Sequence, residues 1–443
     1  MIAKEYKGKW WLPSNKEYKV AGILYYHPGE EFRLELIGTF DSENDGSIAV
    51  IFSTHREQVI HGQASDGTNI TLFDCGCHIT HCSKADFSTA VYKAREIAIG
   101  MHLNNIDDNR FFKASVKIPE LSYWLYPASV DLCLDADDDH GVFVKMPGLQ
   151  KEEDREVAKT KVKKGFSICL CRNASFQGGE FSFTPTFEQY TSLQIESDSA
   201  SSAYEYYVTA VRYERFLSLA TLREVGFSEL QLFSKEYYIK ISKDKVNYKP
   251  VYFDTVFHQE PSSKKIEKHT FLFDYKQIAG NYPKIIRQWY ANDKKFDAIR
   301  GHFLESIEYH GPFSYINFLV VIQAVEGFGN RYLKKEIDAY RKNLPEGHKS
   351  KKLHDILVTI FSMYKDVKAI NQQTDFAAIV ETRNYHSHLL PQRSKKWVDG
   401  VDLYKLTDEL RKVLICCILS YLGFSNGEIN SLIEGSINGL FRD

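Results

Sequence analysis

The sequence predicts an α+β multidomain protein. An N-terminal β-rich, sandwich-like region is followed by a C-terminal antiparallel all-α helical bundle. Three observations predict it. Short apolar runs separated by polar turns fill the first half of the 443 residues. A polar, proline-bearing stretch, HQEPSSKKIEKHT at 258–270, then interrupts the pattern. Beyond it, apolar residues recur at the three- and four-residue spacing of helices.

The β signals come first. AGILYYHPGEEFRLELIGTF holds two runs around HPGE, which predicts a hairpin. SIAVIFS (47–53), TNITLFDC (68–75), FFKASVKIP (111–119), HGVFVKMP (140–147) and FSICLCR (166–172) predict further strands. DSENDGS, SDGT and DADDDHG supply the turns. Among them, SKADFSTAVYKAREIAIGMHL (83–103) predicts a helix. Aromatic residues make up 14% of the chain, with 29 Phe and 27 Tyr, which favours strand-rich structure. Short strands at regular intervals suggest a sandwich or a curved sheet. Residues 187–240 are mixed, and FSELQLFSKEYYIKIS reads as a short helix followed by a strand.

After the polar stretch, YPKIIRQWYANDKKFDAIRGHFLESI places Ile285, Ile286, Trp289, Tyr290, Phe296, Ile299, Phe303, Leu304 and Ile307 at helical spacing. SYINFLVVIQAVEGFGNRYL, KKLHDILVTIFSMYKDV and DFAAIVETRNYHSHLL continue the pattern. The last long helix, DLYKLTDELRKVLICCILSYLGF, takes Asp402 as N-cap and stops near Gly423. The chain therefore divides into a β-rich recognition domain at 1–186, a mixed segment and linker at 187–270, and a helical domain at 271–443.

Formal net charge is −2, which excludes a strongly cationic nucleic-acid wrapper. The part from Pro283 onward carries about +4 and the remainder about −6. A modestly basic C-terminal part tolerates an anionic partner. The opening MIAKEYKGKWWLP holds no apolar run of signal-peptide length, and no later run reaches ~18 residues. The expectation is a cytoplasmic protein without a membrane segment. Its eight cysteines are then thiols or metal ligands rather than disulfides.

ETRNYHSHLL (381–390) concentrates chemistry in a helical region: Arg383, Asn384, His386 and His388. Histidine takes and gives protons near neutral pH. Metal-free RNA cleavage needs both acts, one at the 2′-hydroxyl and one at the leaving 5′-oxygen. A guanidinium offers a fixed, always-charged fork for the phosphorane between them. The alternative is a helix end whose polar residues face water. Similar spacings occur at Arg56 with His61 and Arg95 with His102, both in the β-rich part. Asn384 and His388 are i,i+4 and share a helix face. Arg383 and His388 lie about 140° apart around an ideal helix. They converge only if the helix ends or distorts near Ser387, or if a second protomer supplies the partner.

RNYHSH resembles the Arg-Asn-x-x-x-His motif of HEPN ribonucleases, and FLVVIQAVEGFGNR (318–331) is similar to an early HEPN helix whose acidic residue is here Glu326. GKWWLP, VAGILYY and LIGTF resemble the N-terminal domain of ApeA-type proteins, the anti-phage HEPN proteins of bacteria. The resemblance runs along most of the chain in order. It implies a HEPN bundle at 271–443 and a metal-independent endoribonuclease of abortive infection. That enzyme cleaves host or phage RNA, with tRNA a candidate, as a homodimer or higher homo-oligomer. The β-rich region would sense a phage-derived trigger, a phage protein among the candidates. The implied catalytic set is Arg383, His388, Asn384 and Glu326, with His386 a departure that leaves two histidines competing. The products would be a 2′,3′-cyclic phosphate and a 5′-hydroxyl. The rival reading is a non-catalytic HEPN dimerisation or interaction protein whose β domain binds a ligand or protein. A third is a carbohydrate-binding sandwich with a structural helical tail.

No cofactor is required for that catalysis. A structural zinc is a separate expectation. CGCHITHC places Cys75, Cys77, His78, His81 and Cys82 within eight residues, in an insert at 72–85. The ligands would be Cys75, Cys77, His81 and Cys82, with Cys169-x-Cys171 a source of a further pair. C-x-C is tighter than the usual zinc spacing, and buried thiols in a β core are the alternative. DADDDHG (135–141) mimics a calcium loop. It holds His140 in place of the sixth-position Gly and Lys145 and Met146 where the bidentate Glu belongs, so it reads as a solvated turn. Cys416 and Cys417 lie on an apolar helix and read as core. No phosphate-binding Gly-rich loop, nucleophile elbow or H-E-x-x-H occurs.

Overall fold

A computed structural model describes residues 3–40, 56–81, 88–126, 155–177, 186–243, 245–262, 265–267, 270–308, 314–345, 352–388 and 396–436. SIAVIFS, HGVFVKMP and DADDDHG lie outside the described residues. The chain forms two compact units: Met1–Glu214 with Val225–Lys264, and Arg215–Glu224 with Lys265–Asp443.

The first unit is built on antiparallel strands. β1 (Lys4–Trp11), β2 (Val20–Tyr26), β3 (Phe32–Ile37), β4 (Arg56–Ala64), β5 (Asn69–His81) and β6 (Thr89–Ala94) run in the order β4-β1-β2-β3-β6-β5. β4 also pairs with β5, so the six strands close into a barrel. Closure removes the unpaired edges that an open sheet would expose. Alternation fills the interior: Val20, Leu24 and Tyr26 of β2 and Phe32, Leu34 and Leu36 of β3 are buried. The indole of Trp10 lies so close to Gly62 that a Cβ there would meet its ring at 2.2 Å. Only glycine fits that wall.

β5 serves two sheets. Its first half pairs with β7 (Glu96–Ile99) and its second with β6, and Asp74 at the change has φ 52°. From β7 the sheet continues through β13 (Val246–Thr255), β12 (Glu229–Lys240), β8 (Phe111–Lys117), β11 (Thr186–Ser201), β10 (Phe166–Gln177) and β9 (Glu156–Lys163). The sandwich-like region is thus a closed barrel continuous with an open sheet. Among the described residues two helices accompany it, α1 (Pro119–Trp124) and α2 (Ala203–Thr221), whose last residues count with the second unit. Tyr26 Oη donates to Asp254 at 2.6 Å, and Asp254 holds His258 Nδ1 at 2.7 Å, which anchors the chain after β13.

Two local expectations differ. The helix expected at 83–103 is replaced over its described part by β6 and β7. Ala90, Tyr92 and Ala94 are buried at every second residue, a strand period, and Ile97, Ala98 and Ile99 are all buried, as in a strand covered on both faces. The short helix expected at the start of FSELQLFSKEYYIKIS is absent, because Leu230, Leu232 and Ser234 already alternate into the sheet. β11 spans Thr186–Ser201, and β11 to β13 belong to the same sheet as β8.

The second unit is helical: α3 (Tyr275–Ile278), α4 (Tyr282–Trp289), α5 (Lys294–Glu308), α6 (Tyr315–Tyr332), α7 (Lys334–Lys342), α8 (Lys352–Met363), α9 (Phe376–His388), α10 (Gly400–Leu422) and α11 (Asn426–Ser436). α10 is its axis, with Val413 through Leu419 fully buried. α6 packs on α5, α8, α9 and α10. Gly329 lets α6 approach α8, since a Cβ there would meet Ile356 at 2.5 Å. Ser314 caps α6 through the amides of Ile316 and Asn317. Asp375 caps α9 through those of Ala377 and Ala378. The N-cap of α10 is Asp399, not Asp402. Asp399 is extended and accepts from Gly400 N, while Asp402 sits in the first turn, where a carboxylate faces the positive helix end. Gly423 ends α10 with φ 96°, the left-handed conformation glycine adopts at no cost.

Candidate ribonuclease site

The packing of α9 on α6 brings together residues 57 positions apart. Arg383 Nη2 of α9 reaches Glu326 Oε2 of α6 at 3.3 Å, and its Nη1 donates to Asn384 Oδ1 at 3.2 Å. The side chains of Arg383 and Glu326 are 28% and 20% exposed, so the guanidinium is steered yet open to solvent. Thr382, one residue earlier, is buried and accepts from Val398 N at 3.0 Å, which fastens the segment before α10 to α9.

His388 closes α9 and is exposed. The helix runs unbroken to it, so Arg383 and His388 keep their separation of about 140° around the axis. Asn384 and His388 share a face. The structure thus brings Arg383, Asn384 and Glu326 together and leaves His388 pointing elsewhere on the same helix.

His386 is differently placed. Its ring stacks on Tyr315, the first residue of α6, at 5.3 Å and 6°. Tyr385 meets it edge-on at 5.0 Å and stacks on Trp397 at 4.5 Å. Burial lowers the His386 pKa, against a weaker pull upward from Asp399, which favours the neutral ring. Its Nε2 is buried with no hydrogen-bond partner among the described residues. Sequence reasoning missed Tyr315, Tyr385 and Trp397. Their aromatic character is plain in the sequence, but only the packing of α6 and the 396–399 segment on α9 assembles them.

The two other Arg/His spacings resolve into different pairs. Arg56 and Arg95 both bind the carboxylate of Asp74, Arg95 at 3.3 Å. His61 and His102 stack on one another at 4.6 Å and 19°. Their Nε2 atoms donate to Leu103 O at 2.9 Å and Gly62 O at 2.8 Å. Burial lowers both pKa values. In each motif the histidine is turned to its fellow and the arginine to a carboxylate.

The zinc expectation is not supported. Cys75 and Cys77 point into the barrel core among apolar side chains, and burial pushes the Cys75 thiol far up. His81 ends β5 in register with Thr89, and Cys82 lies outside the described residues. Cys169 and Cys171 sit on β10 with their sulfurs 3.2 Å apart, separated from β5 by β7, β13, β12, β8 and β11. Among the described residues no three His, Cys, Asp or Glu side chains form a group able to hold a metal. The close C-x-C spacing reflects a strand that turns alternate small residues inward.

A family model described as ApeA N-terminal domain 1 matches residues 5–289, and one described as Apea-like HEPN matches residues 319–428. The chain belongs to the ApeA-type HEPN family. The HEPN match begins within α6 and ends within α11, so it includes Glu326 and all of α9. Membership of the ApeA-type family points to anti-phage defence with a HEPN nuclease domain. HEPN domains typically act on RNA, dimerise and work without metal. No curated protein and no solved structure matches the chain significantly. Among the described residues of this ApeA-type protein, no helix is long and apolar enough to cross a membrane.

Proposed function

We propose that this ApeA-type HEPN protein is a metal-independent endoribonuclease of anti-phage defence, acting in the cytoplasm as a homodimer or higher oligomer. The observation that carries the reading is the cluster of Arg383 and Asn384, on the helix that ends in His388, with Glu326 of α6. Arg383 meets the non-bridging oxygens of the scissile phosphate and stabilises the phosphorane. Glu326 and Asn384 orient its guanidinium. His388 moves the protons: one leaves the 2′-hydroxyl as its oxygen bonds to phosphorus, and one reaches the 5′-oxygen as its bond to phosphorus breaks. The products are a 2′,3′-cyclic phosphate and a 5′-hydroxyl. Because α9 keeps Arg383 and His388 apart, His388 of a second copy completes the site beside Arg383 of the first. The barrel-bearing unit takes the role of sensor for a phage-derived trigger, and tRNA is the first substrate to try.

The test is incubation of purified protein with total RNA in EDTA, beside Arg383→Ala and His388→Ala. Cleavage by wild type alone, leaving ends that phosphatase opens only after cyclic-phosphate hydrolysis, supports the reading. RNA left intact with and without trigger and Mg²⁺ favours a non-catalytic interaction protein. Cleavage that disappears in EDTA and returns with Mg²⁺ refutes the metal-free mechanism.

A further inference from the structure

The acid–base chemistry above leaves four aromatic rings beside the site unused. Tyr315, Tyr385, His386 and Trp397 form one continuous stack-and-edge cluster on the α6–α9 face. Three features set it apart from core packing. Tyr315 lies over His386 with the rings nearly parallel, yet half its surface, 50%, remains exposed. One face of the phenol ring is therefore backed and the ring still meets solvent. Behind it, His386 contributes no hydrogen bond from Nε2 among the described residues, so it serves there as a flat ring rather than as a polar group. Third, His386 lies i,i+3 from Arg383, one turn along the same side of α9. A flat, rigidly backed, solvent-facing aromatic ring is thus held, through His386, one turn of α9 from the arginine assigned to the phosphate.

We propose that Tyr315, backed by His386, is a stacking platform for an unpaired nucleobase next to the scissile phosphate. The substrate class is then single-stranded RNA: a loop, bulge or end rather than a duplex. Bases inside a helix have no free face to offer, whereas splayed bases stack on aromatic side chains. Such stacking tolerates any base, so the platform selects for strandedness more than for sequence. This rests on the ribonuclease reading of Arg383 and His388. It gives the second histidine of RNYHSH a positioning role distinct from proton transfer.

The experiment separates the two readings by measuring stacking without cleavage. In the full-length His388→Ala protein, single-stranded oligoribonucleotides carrying 2-aminopurine at each position in turn report stacking by loss of fluorescence. The expected result is quenching at one position, lost in Tyr315→Ala, kept in Tyr315→Trp and absent when the strand is annealed into a duplex. In the otherwise wild-type protein, Tyr315→Ala raises KM for single-stranded RNA roughly tenfold or more and lowers kcat by less, and Tyr315→Trp restores it. Equal quenching in His388→Ala with and without Tyr315 overturns the platform even if the protein is a ribonuclease. A Tyr315→Ala protein that sediments as a monomer where wild type is a dimer also overturns it, because the ring is then a contact between copies. Quenching without cleavage by wild type would leave the platform standing and remove the ribonuclease reading.

Discussion

Glu326 holds Arg383 from across a helix–helix contact, with Oε2 3.3 Å from Nη2. The carboxylate fixes the fork and also competes with the phosphate for it. The pair is partly exposed, so its net worth to folding is small, about 0–1 kcal/mol. Glu326→Gln should therefore leave the thermal midpoint nearly unchanged. Single-turnover cleavage should slow by about tenfold, since the amide keeps an acceptor but lacks the charge that aligns the guanidinium. A large fall in melting temperature, or no kinetic change, would contradict this role.

The unbroken helix through His388 yields a sharper prediction. If Arg383 and His388 of one copy cannot meet, each site draws on two chains. Arg383→Ala and His388→Ala are each inactive alone. Mixed and allowed to exchange, they form heterodimers with one intact composite site, and activity should return to about a quarter of wild type. Mixtures as dead as their parents would place both residues of a site in one chain.

What was legible follows from range. The barrel's hairpin at 20–37 and the helical spacing after 282 are local patterns, set by periods of two and of three to four residues, and both were readable. The β6–β7 segment was misread because Lys93, Arg95 and Glu96 resemble helix formers, while the alternation that buries Ala90, Tyr92 and Ala94 is short. Arg383, Asn384 and His388 were visible as a motif. That Glu326 reaches Arg383 was legible only through family resemblance, since no local rule links positions 57 apart. Tyr315 and Trp397 escaped entirely: a stack is a tertiary fact, and one aromatic residue in a sequence does not name its partner.

The stacked pair His61 and His102 predicts an acid-sensitive barrel. Burial sets both folded pKa values below the ordinary histidine value, and the nearby Lys16 adds to the lowering. Above about pH 6.5 neither folded nor unfolded rings bind protons, and the pair contributes no pH dependence. As pH falls through that value the unfolded chain gains protons that the folded one refuses. Stability drops, and the drop levels off once the folded rings also protonate. Thermal melts of wild type and His102→Phe from pH 8 to pH 5 should show a shallower acid limb in the variant. Parallel curves would assign the acid limb to other groups.

Cys75 offers a test of core against metal ligand. It is fully buried among apolar residues of the barrel. Cys75→Val preserves apolar character at similar volume and should cost less than about 1.5 kcal/mol. Cys75→Asp should block folding, since a buried carboxylate would have no partner there. Circular dichroism and melting temperature read both. A valine variant that unfolds as readily as the aspartate variant would revive ligand chemistry at this thiol.

His388 and His386 separate most clearly, and together they decide what RNYHSH is for. His388 is exposed at the end of α9 and shares a face with Asn384, so it is free to reach a substrate or a second copy. His386 is half-buried, biased by burial toward the neutral ring, and stacked on Tyr315. General acid–base catalysis is typically worth 10²–10⁴-fold. His388→Ala should accordingly lose at least about two orders of magnitude in cleavage rate at saturating RNA, with fold and oligomer intact. His386→Phe keeps a flat ring and should retain most of kcat, whereas His386→Ala should weaken RNA binding more than it slows the step. Arg383→Lys should fall near Arg383→Ala, since a point charge does not reproduce the bidentate fork. All five variants are measured on one RNA at one pH, with circular dichroism and sedimentation as controls. If His386→Phe proves as dead as His388→Ala, the proton-transfer role moves to His386. If both keep wild-type rates, the segment is a polar helix end and the chemistry lies elsewhere.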